Sequence, residues 1–387
     1  MKIVVMFASL VALLNAFELK GDITSEYVAY SHSSNEVQFL GSLEAKYKGY
    51  VEAQVSLNYL YSTKYNQRNY ANINEAYIFK EYDNSTLSLG KRVFYIGELE
   101  GFNIADIINA KDYIKDPFDI SAKLGSYVAN YTYFFENDNS LEVGIKLYEE
   151  NLDLGDSSTP YYILPLRYND KLLTQKSKHT PSFYASYSFG EDEFIEYQNK
   201  IMFWYGYDNK RDFIYQDDNL YQYAYMVNKL IFLSHIVYDD MIFKFEGSYS
   251  DVIDYKKMSD YYQLGFGMQK GFYDVGGVDL TLFLEYYHYG YKDDKLSKNI
   301  DISEVYDNDL FVALRGVLND SYDTSLKLGM LYDIKNKEKL FKLQSKSKIT
   351  DSIALSTEFL RILPSQNTLL ANTKDKSRVK ISASYSF

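Results

Sequence analysis

The chain has 387 residues, a formal net charge of −12, a pI near 5.0, five prolines and no cysteine. Its acidic balance argues against a nucleic-acid partner, and the missing cysteines leave nothing for a disulfide framework. Mean hydropathy is −0.34 and no long apolar run follows the first residues. Transmembrane helices are therefore excluded, but a membrane barrel is not, because its strands show lipid only at every second residue.

The start of the chain reads as a secretory signal over 1–16. Met1-Lys2 supplies the positive end, Ile3 to Leu14 the apolar run and Leu14-Asn15-Ala16 the cleavage site. The alternative, an N-terminal anchor helix, would need about 20 apolar residues, more than this run offers. The mature chain is expected over 17–387 as a single barrel.

Strand-length segments follow, separated alternately by tight turns and longer polar breaks. The first runs from Phe17 to Ser31 and the second from Glu36 to Tyr47. The third sets Val51, Ala53, Val55, Leu57 and Tyr59 on one face against Glu52, Gln54, Ser56 and Asn58 on the other. Ala71–Tyr82 and Ser85–Tyr95 flank a tight Asp83-Asn84 turn. An insertion, 96–119, precedes Ile120–Phe135. The seventh segment alternates Leu141, Val143, Ile145 and Leu147 with Glu142, Gly144 and Lys146. After the irregular region Asn151–Thr180 come Ser182–Phe189, a Gly190-Glu191-Asp192 turn and Phe194–Gly206. Leu220–Tyr238 is read as one long strand, although two would also fit. Met241–Ser250, Tyr261–Tyr273, Val278–Tyr289, Leu310–Leu318, Tyr322–Ile334, Leu340–Ile349 and Ser352–Leu363 lead to the last segment, Arg378–Phe387.

That last segment places Val379, Ile381, Ala383, Tyr385 and Phe387 on one face, and Lys380, Ser382, Ser384 and Ser386 on the other. A final strand with this pattern calls for a partner on its open edge, which a closed barrel provides. The segment resembles the last strand of bacterial outer-membrane barrel proteins. The resemblance implies that Phe387 is an assembly signal read by barrel-assembly machinery. The 42 tyrosines and 24 phenylalanines, against one tryptophan, suit the aromatic girdles of such a barrel. The predicted fold is all-β: a transmembrane antiparallel up-and-down β-barrel of about 18 strands, with 16 as the alternative count. Periplasmic turns should be short and external loops longer. A soluble β-sandwich would want shorter strands and a second sheet over the apolar face.

With polar faces turned inward, about eighteen strands leave room for an aqueous lumen. The strand parity then brings Arg92, Arg315, Lys327, Lys342, Lys346, Lys348 and Lys380 inside as a basic wall. The insertion 96–119 carries Glu98, Glu100, Asp106, Asp112, Asp116 and Asp119, together with Phe102, Ile104, Ile107 and Ile108, which are too apolar for a solvated loop. It is expected to fold inward as the third external loop, with a helical turn at Ala105–Ala110, and to set its acids across from the basic strands. The alternative leaves it outside the mouth.

This architecture resembles the OprD-type substrate-selective porins and their Opr relatives, in which a basic ladder guides carboxylate-bearing solutes past acidic loop residues. The reading is a passive diffusion channel in the cell outer membrane for small hydrophilic or anionic solutes. Its expected partners are outer-membrane lipid, lipopolysaccharide, solutes in transit and, through a homotrimer, further copies of the chain. The alternative is a surface-exposed adhesin or structural barrel that uses the long loop Asn151–Thr180. A receptor driven from the inner membrane would want a plug domain before the first strand. No enzyme, cofactor or metal site is expected: His32, His179, His235 and His288 are scattered, and Asp239-Asp240 and Asp293-Asp294 read as turn residues.

Overall fold

The computed structural model describes residues 17–191, 196–254, 258–293, 299–366 and 368–387. The predicted signal over 1–16, Asp192 and Phe194 at one predicted turn, and Asp294 lie outside them.

Eighteen strands follow one another in chain order, each antiparallel to its neighbours, and the last pairs with the first. They are β1 (Phe17–Tyr30), β2 (Glu36–Tyr47), β3 (Glu52–Ser62), β4 (Tyr70–Tyr82), β5 (Ser85–Arg92) and β6 (Ser126–Phe134). Next come β7 (Ser140–Lys146), β8 (Ser182–Glu191), β9 (Glu196–Tyr207), β10 (Met226–Tyr238), β11 (Met241–Val252) and β12 (Tyr261–Phe272). The circle is completed by β13 (Val278–Tyr291), β14 (Asn308–Leu318), β15 (Ser325–Asp333), β16 (Lys339–Lys348), β17 (Ile353–Leu363) and β18 (Ser377–Ser386). Closure removes every free edge, so each strand has its backbone partners without help from water.

Alternation decides which face is which. Leu19, Ile23 and Tyr27 on β1, Leu141, Val143 and Ile145 on β7, and Val379, Ile381 and Tyr385 on β18 are all exposed on the outer surface. An apolar band of this extent is tolerated only in lipid. The polar residues between them face inward, as the third, seventh and final segments predicted. The fold is a closed transmembrane β-barrel of eighteen strands.

At the seam, β1 and β18 are in register from Asp22 opposite Ser386 to Tyr30 opposite Arg378. Beyond the ladder, Gly21 and Phe387 exchange two backbone hydrogen bonds of 3.0 Å. The Phe387 ring lies where a Cβ on residue 21 would stand, 2.7 Å from its nearest atom, so only glycine lets the ring settle on β1. The connections at the end holding both barrel termini are short, for example 83–84 and 239–240. Those at the other end include 93–125, 147–181 and 208–225.

Three expectations need correction. Leu220–Tyr238 is not one strand. Residues Asn219–Ala224 leave the barrel and join Asp212–Gln216, Tyr168–Thr174 and Ile300–Asp301 in a four-stranded sheet built from the long loops. Only Met226–Tyr238 enters the wall, which is why the count of eighteen stands. The insertion is longer than predicted, running over 93–125, because β5 ends at Arg92 and β6 begins at Ser126. It also has no helical turn at 105–110; Ala110–Lys111 instead pairs with Lys123–Leu124 in a two-stranded ladder.

Candidate functional site

Residues 93–125 run through the barrel interior and touch opposite walls. Their apolar side chains explain the route: Ala105, Ile107 and Ile108 pack with Val128, Trp204 and Ile231 in a buried cluster. Leu99 and Ile104 pack with Tyr287 and Leu331 in another. Leu99 and Ile104 reach the β12 backbone where Gly265 carries no side chain.

The loop backbone is held by carboxylates of the wall. Glu246 on β11, fully buried, accepts the N–H groups of Glu98 and Leu99 at one oxygen and of Ile104 and Ala105 at the other, at 2.5–3.0 Å. Glu285 on β13 takes the N–H groups of Glu100 and Gly101, both at 2.9 Å. Tyr287 donates its hydroxyl to Glu285 and accepts from the N–H groups of Gly101 and Phe102. Backbone donors of an irregular segment are thus satisfied by the wall.

The acidic loop residues have separate destinations. Asp116 receives Arg378 at 2.5 Å and Lys380 at 2.8 Å, both inward on β18. Burial alone would push its carboxyl up, but these cations and Lys342 hold it well below the usual carboxylate range. Glu100 pairs with Lys327 on β15 at 2.9 Å. Among the described residues the other four form no ion pair with the basic strands, and Asp119 accepts from the N–H and hydroxyl of Ser121 within the loop. Asp106 pairs with Lys123 inside the loop, and its burial raises its pKa against that partner. Asp112 accepts the Tyr70 hydroxyl of β4 at 3.0 Å. Glu98 lies 3.2 Å from His235 Nδ1 on β10. Arg68, before β4, reaches the carbonyls of Ile114 and Lys115 and pairs with Glu36 at 2.6 Å.

Of the cations placed inside by parity, Arg315, Lys327, Lys342, Lys346 and Lys380 line one stretch of wall on β14–β18, together with Arg378 and Glu358. Lys342 is 3.4 Å from Glu358, and Arg378 is 2.6 Å from it. Among the described residues no carboxylate comes within ion-pair distance of Arg315 or Lys346. Lys348 sits at the short-turn rim and pairs with Asp323 at 2.5 Å. Arg92 stands apart on β5, with its guanidinium 5.0 Å from the Tyr77 ring centroid. Four groups escaped the sequence reading. Arg378 carried the parity signal that identified Lys380, whereas Glu246, Glu285 and Glu358 looked like ordinary inward polar positions.

Three cavities follow one another through the interior, the second and third along this wall. One of about 110 Å³, on the long-loop side, is bounded by Lys111, Lys123, Lys210 and Ile120. Ile120 also borders the next, of about 430 Å³, which combines Phe118, Tyr306, Phe311, Leu331 and Leu340 with Lys327 and Lys342. That cavity shares Lys327, Gln344 and Glu358 with a third, of about 370 Å³, reaching Arg315, Lys346 and Ser382. The first cavity is flanked by buried ion pairs, Lys210 with Asp301 at 2.5 Å and Lys229 with Asp208 at 3.3 Å. His32 borders Ser31, His179 lies against Tyr148, and His288 points outward beside Tyr262. No group of three metal-ligating side chains occurs among the described residues.

The fold and this lined interior define an eighteen-stranded barrel of the outer-membrane type. No protein-family model and no curated protein sequence matches the chain. Solved structures match it nearly end to end. The chain is similar to Pseudomonas aeruginosa OccK11 (OpdR), with 9% identity, a TM-score of 0.58 and 96% of each chain covered. It is similar to Acinetobacter baumannii OccAB4, with 10% identity, a TM-score of 0.57, and 96% of this chain and 98% of that one covered. For Pseudomonas aeruginosa OpdK with vanillate the values are 10% identity, a TM-score of 0.51, and 96% and 98% covered. The resemblance to OprD-type porins read from the sequence thus extends to the fold.

Proposed function

We propose that the chain is a bacterial outer-membrane porin, a passive diffusion channel that admits small organic anions between the loop 93–125 and the β14–β18 wall. The observation that carries this reading is the row of inward cations along two joined cavities, with Arg315 and Lys346 left without a carboxylate partner. Charges lining a narrow aqueous path select the sign of what passes, and low-dielectric walls strengthen their reach.

The solute class follows from what sits beside the cations. The middle cavity sets the rings of Phe118, Tyr306 and Phe311 next to Lys327 and Lys342, and Tyr306 is stacked on Phe102 at 4.3 Å. An apolar body with a carboxylate head matches both halves. That OpdK, a barrel of the same fold, was crystallised with vanillate supports the class without fixing the solute. Glu100 and Asp116 narrow the path and moderate the cations they pair with, so that an anion is attracted without being trapped.

In planar bilayers under a KCl gradient the reversal potential should report anion preference, and Arg315→Gln with Lys346→Gln should shift it toward cations. In liposome swelling, benzoate should enter faster than benzylammonium. A reversal potential unmoved by the double substitution would overturn the basic-wall reading. The absence of any single-channel steps would return the chain to the adhesin reading.

A further inference from the structure

The outer surface carries an anomaly at the long-loop end of β15–β17. Tyr332 on β15 faces outward, and its register partner is Lys339, the first residue of β16. On β17, Arg361 lies opposite Phe341, two residues along from Lys339, so the two residues are diagonal neighbours on the outer face. Lys337, in the turn between β15 and β16, brings a third. The ammonium groups of Lys337 and Lys339 stand 5.8 and 5.6 Å from the Tyr332 ring centroid.

All three cations are exposed, and among the described residues none has a carboxylate within ion-pair distance. Their polar contacts are neutral: Lys337 donates to the Ile334 carbonyl at 2.7 Å, and Arg361 donates to Ser377 Oγ at 2.5 Å. At the opposite end Lys80 is likewise without a carboxylate among the described residues, lying over the Tyr50 ring, but three other cations there are paired. Lys48 pairs with Glu18, Lys270 with Asp240 and Lys348 with Asp323. Immediately below the patch the outward residues turn apolar, with Phe359, Leu355 and Ile353 exposed down β17. The three charges therefore sit at the edge of the lipid-facing band, where phosphate head groups lie and an interfacial tyrosine is at home.

We infer that Tyr332, Lys337, Lys339 and Arg361 form a docking surface for the phosphorylated sugar head of an outer-leaflet glycolipid, the lipid A part of lipopolysaccharide. The inference rests on the outer-membrane placement proposed above. Arg361 offers a planar fork to two phosphate oxygens, the lysines add point charges, and the acyl chains lie down the apolar face of β16 and β17.

The test is a titration of the purified full chain in detergent with lipid A carrying its phosphates and with the dephosphorylated form, bound lipid being counted by native mass spectrometry. Wild type should prefer the phosphorylated lipid. Each charge removed should weaken binding about fivefold, so Lys337→Gln, Lys339→Gln and Arg361→Gln together should weaken it on the order of a hundredfold. Lys337→Arg with Lys339→Arg should retain it, and millimolar inorganic phosphate should not displace the lipid. Heat-modifiable gel mobility confirms that each variant is folded. Equal binding by the triple variant, indifference of wild type to the phosphates, or complete displacement by inorganic phosphate would each overturn the inference. Conductance is read separately, so loss of the channel reading leaves this result interpretable.

Discussion

Glu246 shows how much of the interior depends on one side chain. Its two oxygens accept four backbone N–H groups from the loop, and each charge-assisted bond of this sort contributes about 1.5–3 kcal/mol. Glu246→Gln keeps the volume but offers one oxygen and one NH₂, so two loop donors lose their acceptor and face a donor instead. The docking of residues 98–105 should weaken by about 3 kcal/mol or more. Hydrogen exchange at the amides of 98, 99, 104 and 105 should accelerate while β11 stays protected; unchanged protection would refute the anchoring role. In the sequence Glu246 was visible only as an inward position beside Lys244. Nothing in a single chain shows that a carboxylate will meet four amides brought in from a hundred and more residues away.

At the scale of elements, the strands were legible and the loops were not, for a physical reason. A strand with lipid on one side and water on the other must alternate, so β3, β7 and β18 declared their faces residue by residue. The loop Ala105–Ala110 has helix-compatible composition, but Glu246 takes the Ala105 N–H and the Asn109 side chain donates to the carbonyls of Arg92 and Leu124, so tertiary partners override local preference. Residues Asn219–Ala224 are a strand, as read, but alternation cannot say which sheet a strand joins. Lys111 tests the loop as an element. Burial lowers its pKa to about 8, with Asp116 and Asp119 pulling the other way. It is therefore mostly charged at pH 7 and mostly neutral at pH 9, and one positive charge beside the cavity on the long-loop side is lost as pH rises through that window. Anion preference should fall between pH 7 and 9. Lys111→Arg should abolish this step, since arginine stays protonated. A reversal potential with the same pH dependence in the variant would exclude Lys111 as its source.

For the whole molecule the decisive event is closure, because the apolar outer face is stable only when the sheet has no edge left in lipid. The seam between β18 and β1 is fastened at both ends. At the long-loop end Asp375 accepts the N–H groups of His32 and Ser33 at 2.6 and 3.0 Å, tying the loop before β18 to the one after β1. At the short-turn end Phe387 lies over Gly21 and stacks on Tyr385 at 6.0 Å. The two ends predict different behaviour. Gly21→Val forces a side chain into the space of the Phe387 ring, so the folded species should melt at lower temperature in heat-modifiability gels. Adding Phe387→Ala removes the ring but leaves the Ser42 carbonyl oxygen, 2.9 Å from the same Cβ position, so the two substitutions should be partly non-additive: valine at 21 should cost less once Phe387 is alanine than it does beside the ring. Full additivity would show that the ring does not seat on β1 in the folded barrel. Assembly rate separates a second role of the same residue. If Phe387 also serves as a recognition signal, Phe387→Ala should slow assembly by the barrel machinery more than spontaneous folding into detergent, whereas a purely packing role would slow both alike.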